Sequence, residues 1–225
     1  MTLPRESEES LLLRSVALDL EQYLINTLRA QELSEKTGVV DPRIGDFAKR
    51  GLGLIDTYML HKSYSSGQLS LISEPINLGA VFAQVEYEVK QFDLTSQINI
   101  IIDKKQPLVA SDFTVVKEVI KSLVMFFASF EDNKHPDKKI VVESYQDDGH
   151  SKVGVFSDVS LSVDNFNVQE SIKSKAKMPL SIQSSSALPE YYLAGLMSRL
   201  LGRELKLTKR KNRYGFVFSL DPSQQ

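Results

Sequence analysis

The sequence predicts an α+β protein: an antiparallel helical hairpin that forms a four-helix bundle with a second copy, followed by an α/β sandwich. Three observations predict it. Two early segments carry apolar residues at helical spacing and are joined by a short polar connection. After Gly67 the pattern changes, and short apolar strands mix with helices without strict βαβ alternation. The chain has 225 residues, 42% hydrophobic and 25% charged, a composition that fits a folded globular protein of one large or two small domains.

The first helix is predicted over residues 7–32. Leu13, Val16, Leu20, Tyr23 and Thr27 alternate by three and four, and Ala17, Leu24 and Leu28 widen the stripe. Ser34 to Val40, with Gly38, reads as a polar loop. Asp41-Pro42 opens the second helix, because Asp caps free amide hydrogens and Pro fits a first helical turn. Ile44, Phe47, Ala48, Leu52, Ile55 and Met59 form its apolar stripe, and Ser65-Ser66-Gly67 ends it. A lone hairpin is one layer thick, so its apolar face needs a partner. The expectation is a homodimer through residues 7–65, with a hairpin domain over 1–67 and a second domain over 68–225.

In the second domain, Leu69 to Ile72 reads as a short strand and Leu78 to Val89 as a helix. Ile98 to Ile102 and Leu108 to Ala110 read as strands flanking residues 103–107. Asp112 to Phe130 is a long helix, almost wholly apolar in its second half. Lys139 to Tyr145 and Lys152 to Phe156 are strands around a turn at Gln146 to His150. Ser157 to Ser186 is polar and irregular over about 30 residues, longer than ordinary loops, and reads as a lid, a binding loop or disorder. Pro189 starts a helix running to about Leu201. Leu205 to Thr208 and Gly215 to Leu220 are strands around the basic turn KRKNRY.

Composition excludes several function classes. With no cysteine there is no disulfide, thiolate metal site or cysteine nucleophile. A formal net charge of −2 gives no general attraction to nucleic acid. No apolar run approaches the ~20 residues that cross a bilayer. The opening MTLPRESEES is polar and acidic, unlike a signal peptide, so the expectation is a cytoplasmic protein.

The order of elements resembles a histidine kinase core: a dimerising, phosphoacceptor hairpin followed by an ATP-binding domain of the GHKL, or Bergerat, type. DPRIGDFAKRGLGLIDTYML is similar to the second hairpin helix. SSGQLSLISEPINLGAVFAQV resembles the junction between the domains, and LMSRLLGRELKLTKRKNRYGFVFSL resembles the last helix and closing hairpin.

The chemistry departs from that pattern. Aligning SVALDLEQYL with the family's first helix places Leu18 at the phosphoacceptor His and Asp19 at the acidic residue after it. Tyr23 stands where a proline is usual. Leucine has no nucleophilic nitrogen. In the helix EVIKSLVMFFASF the metal-binding Asn aligns with Phe126 and an earlier Asn with Ser122. Mg²⁺ takes hard oxygen ligands, which a phenyl ring cannot supply. Asp158 keeps the place of an adenine-contacting Asp, but the two glycines after it align with Ser160 and Ser162. The last glycine-rich box aligns with Ser185-Ser186-Ala187-Leu188-Pro189, where side chains crowd the backbone and proline removes an anion-binding amide. The resemblance therefore implies a pseudokinase that uses no nucleotide or metal cofactor.

Other residues carry rival readings. Leu11, Leu18 and Ile25 lie seven apart and share a stripe, either a docking face for a partner protein or additional buried surface. His61 could accept a phosphoryl group or be an ordinary helix-end imidazole. His135 and His150 sit in polar turns, and no histidine pair has metal-ligand spacing. Glu86, Glu88 and Asp93 read as solvated charges, and Asp158 as a relic contact, a strand-end Asp or a cap. The basic stretch 203–213 reads as a site for an acidic partner, phosphate or nucleic acid, or as a solvated charged hairpin that blocks edge aggregation. The expected function is a catalytically inactive, histidine-kinase-like dimer that binds a response regulator or an active kinase. The alternatives are an atypical GHKL nucleotide-binding kinase and an ATP-independent phosphotransferase using His61.

Overall fold

The computed structural model describes residues 8–39, 43–90, 101–102, 108–128, 139–147, 149–158 and 188–223. Two helices come first, α1 (Glu8–Thr37) and α2 (Arg43–Ser65). They pack against each other where Gly51 of α2 meets Leu20 and Tyr23 of α1. The predicted loop at Ser34 to Val40 is a correction: α1 continues to Thr37. The Ser34 and Thr37 hydroxyls donate to the carbonyls of Ala30 and Leu33 at 2.9 Å, so these polar residues bond back onto the last turns instead of breaking them. The helix stops at Gly38, whose φ of 68° suits glycine.

The sandwich follows as β1 (Glu74–Asn77), α3 (Leu78–Lys90), β2 (Ile101–Ile102), β3 (Leu108–Ser111), α4 (Phe113–Ala128), β4 (Ile140–Asp147), β5 (His150–Ser157), α5 (Leu188–Leu200), β6 (Lys206–Arg210) and β7 (Arg213–Pro222). The strand predicted at Leu69 to Ile72 is absent, and the first strand begins at Glu74. Local partners take that segment's amides: Leu69 N donates to Ser63 O at 3.0 Å and Ile72 N to the Asp112 carboxylate at 2.9 Å. The chain therefore wraps the end of α2 before entering the sheet.

Asn77 caps α3, its side-chain oxygen accepting from Gly79 N at 2.8 Å, and Asp112 caps α4, accepting from Val115 N at 3.0 Å. The strands run in the order β1-β3-β7-β5-β4-β2, with β6 paired to β7. All pairs are antiparallel except β2 with β4. Lys211 and Asn212, at φ 48° and 63°, make the tight β6–β7 turn. One sheet face packs against α3, α4 and α5 around Phe82, Phe126, Phe127, Phe216 and Phe218. On the other face Phe156 lies flat across Gly154 and Gly215, where an added Cβ would come within 2.4 Å of its ring.

Candidate functional site

The helix α4 carries Ser122 and Phe126, the two positions that the sequence resemblance aligns with asparagines of the histidine kinase ATP-binding domain. Its apolar run is buried almost all round because the sheet, α3 and α5 enclose it. Phe126 is fully buried in an aromatic cluster, with ring centroids 5.1 Å from Phe127 and 5.7 Å from both Tyr191 and Phe216. Tyr191 and Phe216 close the cluster at 4.7 Å. Edge-to-face and tilted rings at these separations attract one another beyond their area burial. Burial pushes the Tyr191 phenol above its usual pKa, with nearby Arg199 opposing the shift. Ser122 is also buried, beside a cavity of about 30 Å³ bounded by Arg50, Thr57, Lys121 and Glu190. That space suits one or two waters and no nucleotide.

Asp158 lies exposed at the end of β5, where its carboxylate accepts from Arg213 Nε at 2.7 Å. Ser160, Ser162, Ser185 and Ala187 lie outside the described residues, as do His135, Asp93 and the side chain of Pro189. Leu188–Leu200 is helical, so Pro189 falls in the first turn of α5, where proline is tolerated. No group of three or more His, Asp or Glu among the described residues could hold a metal ion. His61 is half-buried near the end of α2, and His150 is exposed with its ring Nδ1 3.2 Å from Asp221.

The hairpin has two distinct faces. Val16 and Leu54 are buried against Tyr192 and Leu193 of α5, with Leu20, Tyr23 and Tyr58 packed around them. The apolar stripe predicted for α2 turns mostly the other way, with Leu52 60%, Ile55 39% and Met59 55% exposed. Leu24 and Leu28 on α1 are 64% and 59% exposed. Burial within the chain instead selects Gly51, Leu54 and Thr57, because α4 and α5 lie on that side. Ile25 is half-buried, and the side chains of Leu11, Leu18 and Asp19 lie outside the described residues.

Polar contacts tie the hairpin to the sandwich. Thr57 donates to the buried Glu118 at 3.2 Å, and Tyr23 to Glu190 at 3.3 Å. Glu118 is held by Lys117 at 3.1 Å and Lys121 at 2.7 Å, and the same two lysines reach Glu88 at 2.7 and 3.3 Å. The reading of Glu88 as a solvated charge is thus corrected, while Glu86 does pair only with its helix neighbour Lys90 among the described residues. Burial would raise the Glu88 carboxyl, but hydrogen bonds from Lys117 and Gln84 and the Lys121 charge outweigh it and hold it low. Burial would lower Lys117, yet Glu88 and Glu118 hold it high. The lowered Glu88 contributes stability above its ordinary pKa of 4.5, lost as pH falls through the depressed value. The raised Lys117 contributes below 10.5, lost as pH rises through its elevated value. Sequence reasoning missed this cluster because Glu88 and Lys117 are 29 residues apart. The charged trio Lys117, Glu118 and Lys121, in a helix that is otherwise mostly apolar, was the available signal.

The cations of 203–213 are largely mated within the chain. Arg203 binds Asp221, Arg210 and Lys211 hold Glu143 at 2.6 and 2.9 Å, and Arg213 binds Asp158. Arg210 also stacks over Tyr145 and Lys209 over Tyr214. These pairs favour the charged-edge reading of the hairpin over the acidic-partner reading.

No protein-family model and no curated protein matches the chain. Solved structures do. The Acinetobacter baumannii histidine kinase AdeS matches with a TM-score of 0.58 at 11% identity, covering 94% of this chain and 98% of that one. Full-length ShkA in complex with AMPPNP matches at 0.55 and 11% identity, over 81% of this chain and 39% of that one. The mycobacterial sensor histidine kinase MprB matches at 0.50 and 14% identity, over 68% of this chain and all (100%) of that one. Identities this low speak to fold alone. In fold, this chain is a histidine-kinase-like core, its helices and mainly antiparallel sheet matching those of the kinases.

Proposed function

We propose that the protein is a catalytically inactive, histidine-kinase-like dimer that acts in two-component signalling by binding a response regulator or an active kinase. Residues 1–67 form the dimerising domain and 68–225 a degenerate GHKL domain. The observation that carries the reading is Phe126. At the position aligned with the metal-binding Asn it presents a phenyl ring, fully buried among Phe127, Tyr191 and Phe216. That site offers no oxygen to Mg²⁺. Ser122 is too short to replace an Asn amide, and Asp158 is engaged by Arg213. Replacing the glycines with Ser160, Ser162, Ser185, Ala187 and Pro189 works in the same direction. These residues do not fit a magnesium nucleotide, and no chemical step is assigned through one.

Binding takes the place of chemistry. Leu24, Leu28, Leu52, Ile55 and Met59, exposed in one chain, form the face that a second copy covers through residues 7–65. The stripe of Leu11, Leu18 and Ile25, centred where the resemblance puts the phosphoacceptor, is the docking face for the partner. Incubation with Mg-ATP labelled on its γ-phosphate is expected to leave the chain unlabelled; acid-labile label on the chain would overturn the proposal.

A further inference from the structure

The hairpin and the sandwich meet along one side of α1 and α2, and that seam holds two kinds of contact. Its apolar part is Val16 and Leu54 against Tyr192 and Leu193, all buried. Nearer the end of α2, Leu60 and Tyr64 pack against the main core. Opening the seam would return these side chains to water, so their burial holds the two parts together. Apolar burial is non-directional, and on its own it tolerates sliding.

The polar part is directional. Glu118 is buried in a helix that is otherwise mostly apolar. A buried carboxylate is costly unless it is paired, and Lys117 and Lys121 supply the pairing from within α4. The hairpin adds the hydroxyl of Thr57, itself buried, at 3.2 Å. That hydroxyl also has the Gly53 carbonyl of its own helix at 3.0 Å, and the charged oxygen is the stronger acceptor. Tyr23 makes a second bond of the same kind, from α1 to Glu190 of α5 at 3.3 Å. A third joins the end of α2 to the start of α4, where the Tyr64 hydroxyl donates to the Asp112 carboxylate at 3.4 Å. Asp112 also accepts from Ile72 N at 2.9 Å, so the connecting segment is held at the same point. Each bond pairs a hairpin hydroxyl with a sandwich carboxylate, and each joins a different place on the seam.

We propose that these three hydroxyl–carboxylate bonds are a registry device that holds the sandwich at one position on its own hairpin. Directional polar bonds within an apolar contact select one alignment among several of similar burial. The chain then presents hairpin and sandwich to a partner as a single rigid surface, and the boundary after residue 67 does not act as a hinge. The inference does not depend on the loss of nucleotide chemistry.

The chain has no cysteine, so two introduced ones are its only labelling sites. Lys36→Cys on α1 and Lys206→Cys on β6, both at exposed positions, carry nitroxide labels on the full chain. The distance between them is read by double electron–electron resonance, with labelled chain diluted into a large excess of unlabelled chain. Expected is one narrow distance. Thr57→Val, Tyr23→Phe and Tyr64→Phe remove the three donors with little change of shape. Combined, they should spread the signal over several distances while circular dichroism shows that the helices persist. Thr57→Val alone should widen the distribution, and Thr57→Ser, which keeps the hydroxyl, should not. If the triple variant loses its helices, the comparison of Thr57→Val with Thr57→Ser decides the same point. The inference is overturned if the wild type shows several distances, if the folded triple variant keeps the wild-type distribution, or if Thr57→Val and Thr57→Ser behave alike.

Discussion

Replacing Phe126 with Asn, the residue that the alignment with histidine kinases would place there, tests whether this position is packing or chemistry. Phe126 is fully buried, and three aromatic rings lie within 5.7 Å of its centroid. Removing a buried phenyl group costs about 3–5 kcal/mol. The Asn amide would then stand among rings that offer it few partners, adding about 1–3 kcal/mol. A loss near ~5 kcal/mol is a large part of the 5–15 kcal/mol that holds an ordinary domain together. For a chain of this size it corresponds to roughly a 10–20 °C fall in melting temperature. Urea unfolding followed by circular dichroism measures it, with Phe126→Leu as a control expected to lose only ~1–2 kcal/mol. Phe126→Asn should gain no affinity for Mg-ATP. If it is as stable as wild type and acquires Mg-dependent nucleotide binding, the aromatic cluster is not what occupies this site.

Two further predictions concern binding. Leu28→Glu combined with Leu52→Glu places charges on the exposed hairpin face and should turn a dimer into a folded monomer, since an unpaired charge buried at an interface costs several kcal/mol; a wild-type mass of one chain by light scattering at micromolar concentration would contradict it. Leu18→Glu should leave fold and dimer intact but abolish capture of the natural partner, because a fully buried leucine contributes ~1.5–3 kcal/mol; undiminished capture would move the docking surface elsewhere, and unfolding would make Leu18 a core residue.

Much of the fold was legible because local rules and tertiary context agreed. The helix read at Leu78 to Val89 is α3, with Leu78, Val81, Phe82, Val85 and Val89 buried as its spacing requires. The strands around Gln146 to His150 and around KRKNRY are the β4–β5 and β6–β7 hairpins, each a little longer than its apolar run because pairing extends into polar residues. Failures came where side chains override propensity. Ser34 and Thr37 bond back onto α1, and Asp112 draws Ile72 away from the sheet. The site was legible only as substitutions in an alignment. That Phe126 joins an aromatic cluster depends on Tyr191 and Phe216, far along the chain, and no local pattern announces them. The buried face of α2, through Leu54 and Thr57, was likewise invisible because its partners are on α4 and α5.

The most direct test of the central claim is a melting-temperature titration of the wild-type chain with Mg-ATP, read against ATP in EDTA. A ligand at about 100 times its dissociation constant would stabilise the folded state by ~2.7 kcal/mol, or roughly 5–11 °C here. With Phe126 where a metal ligand would stand, the melting temperature should not move at millimolar Mg-ATP. A saturable, Mg-dependent rise of that size would show an intact nucleotide site and contradict the account.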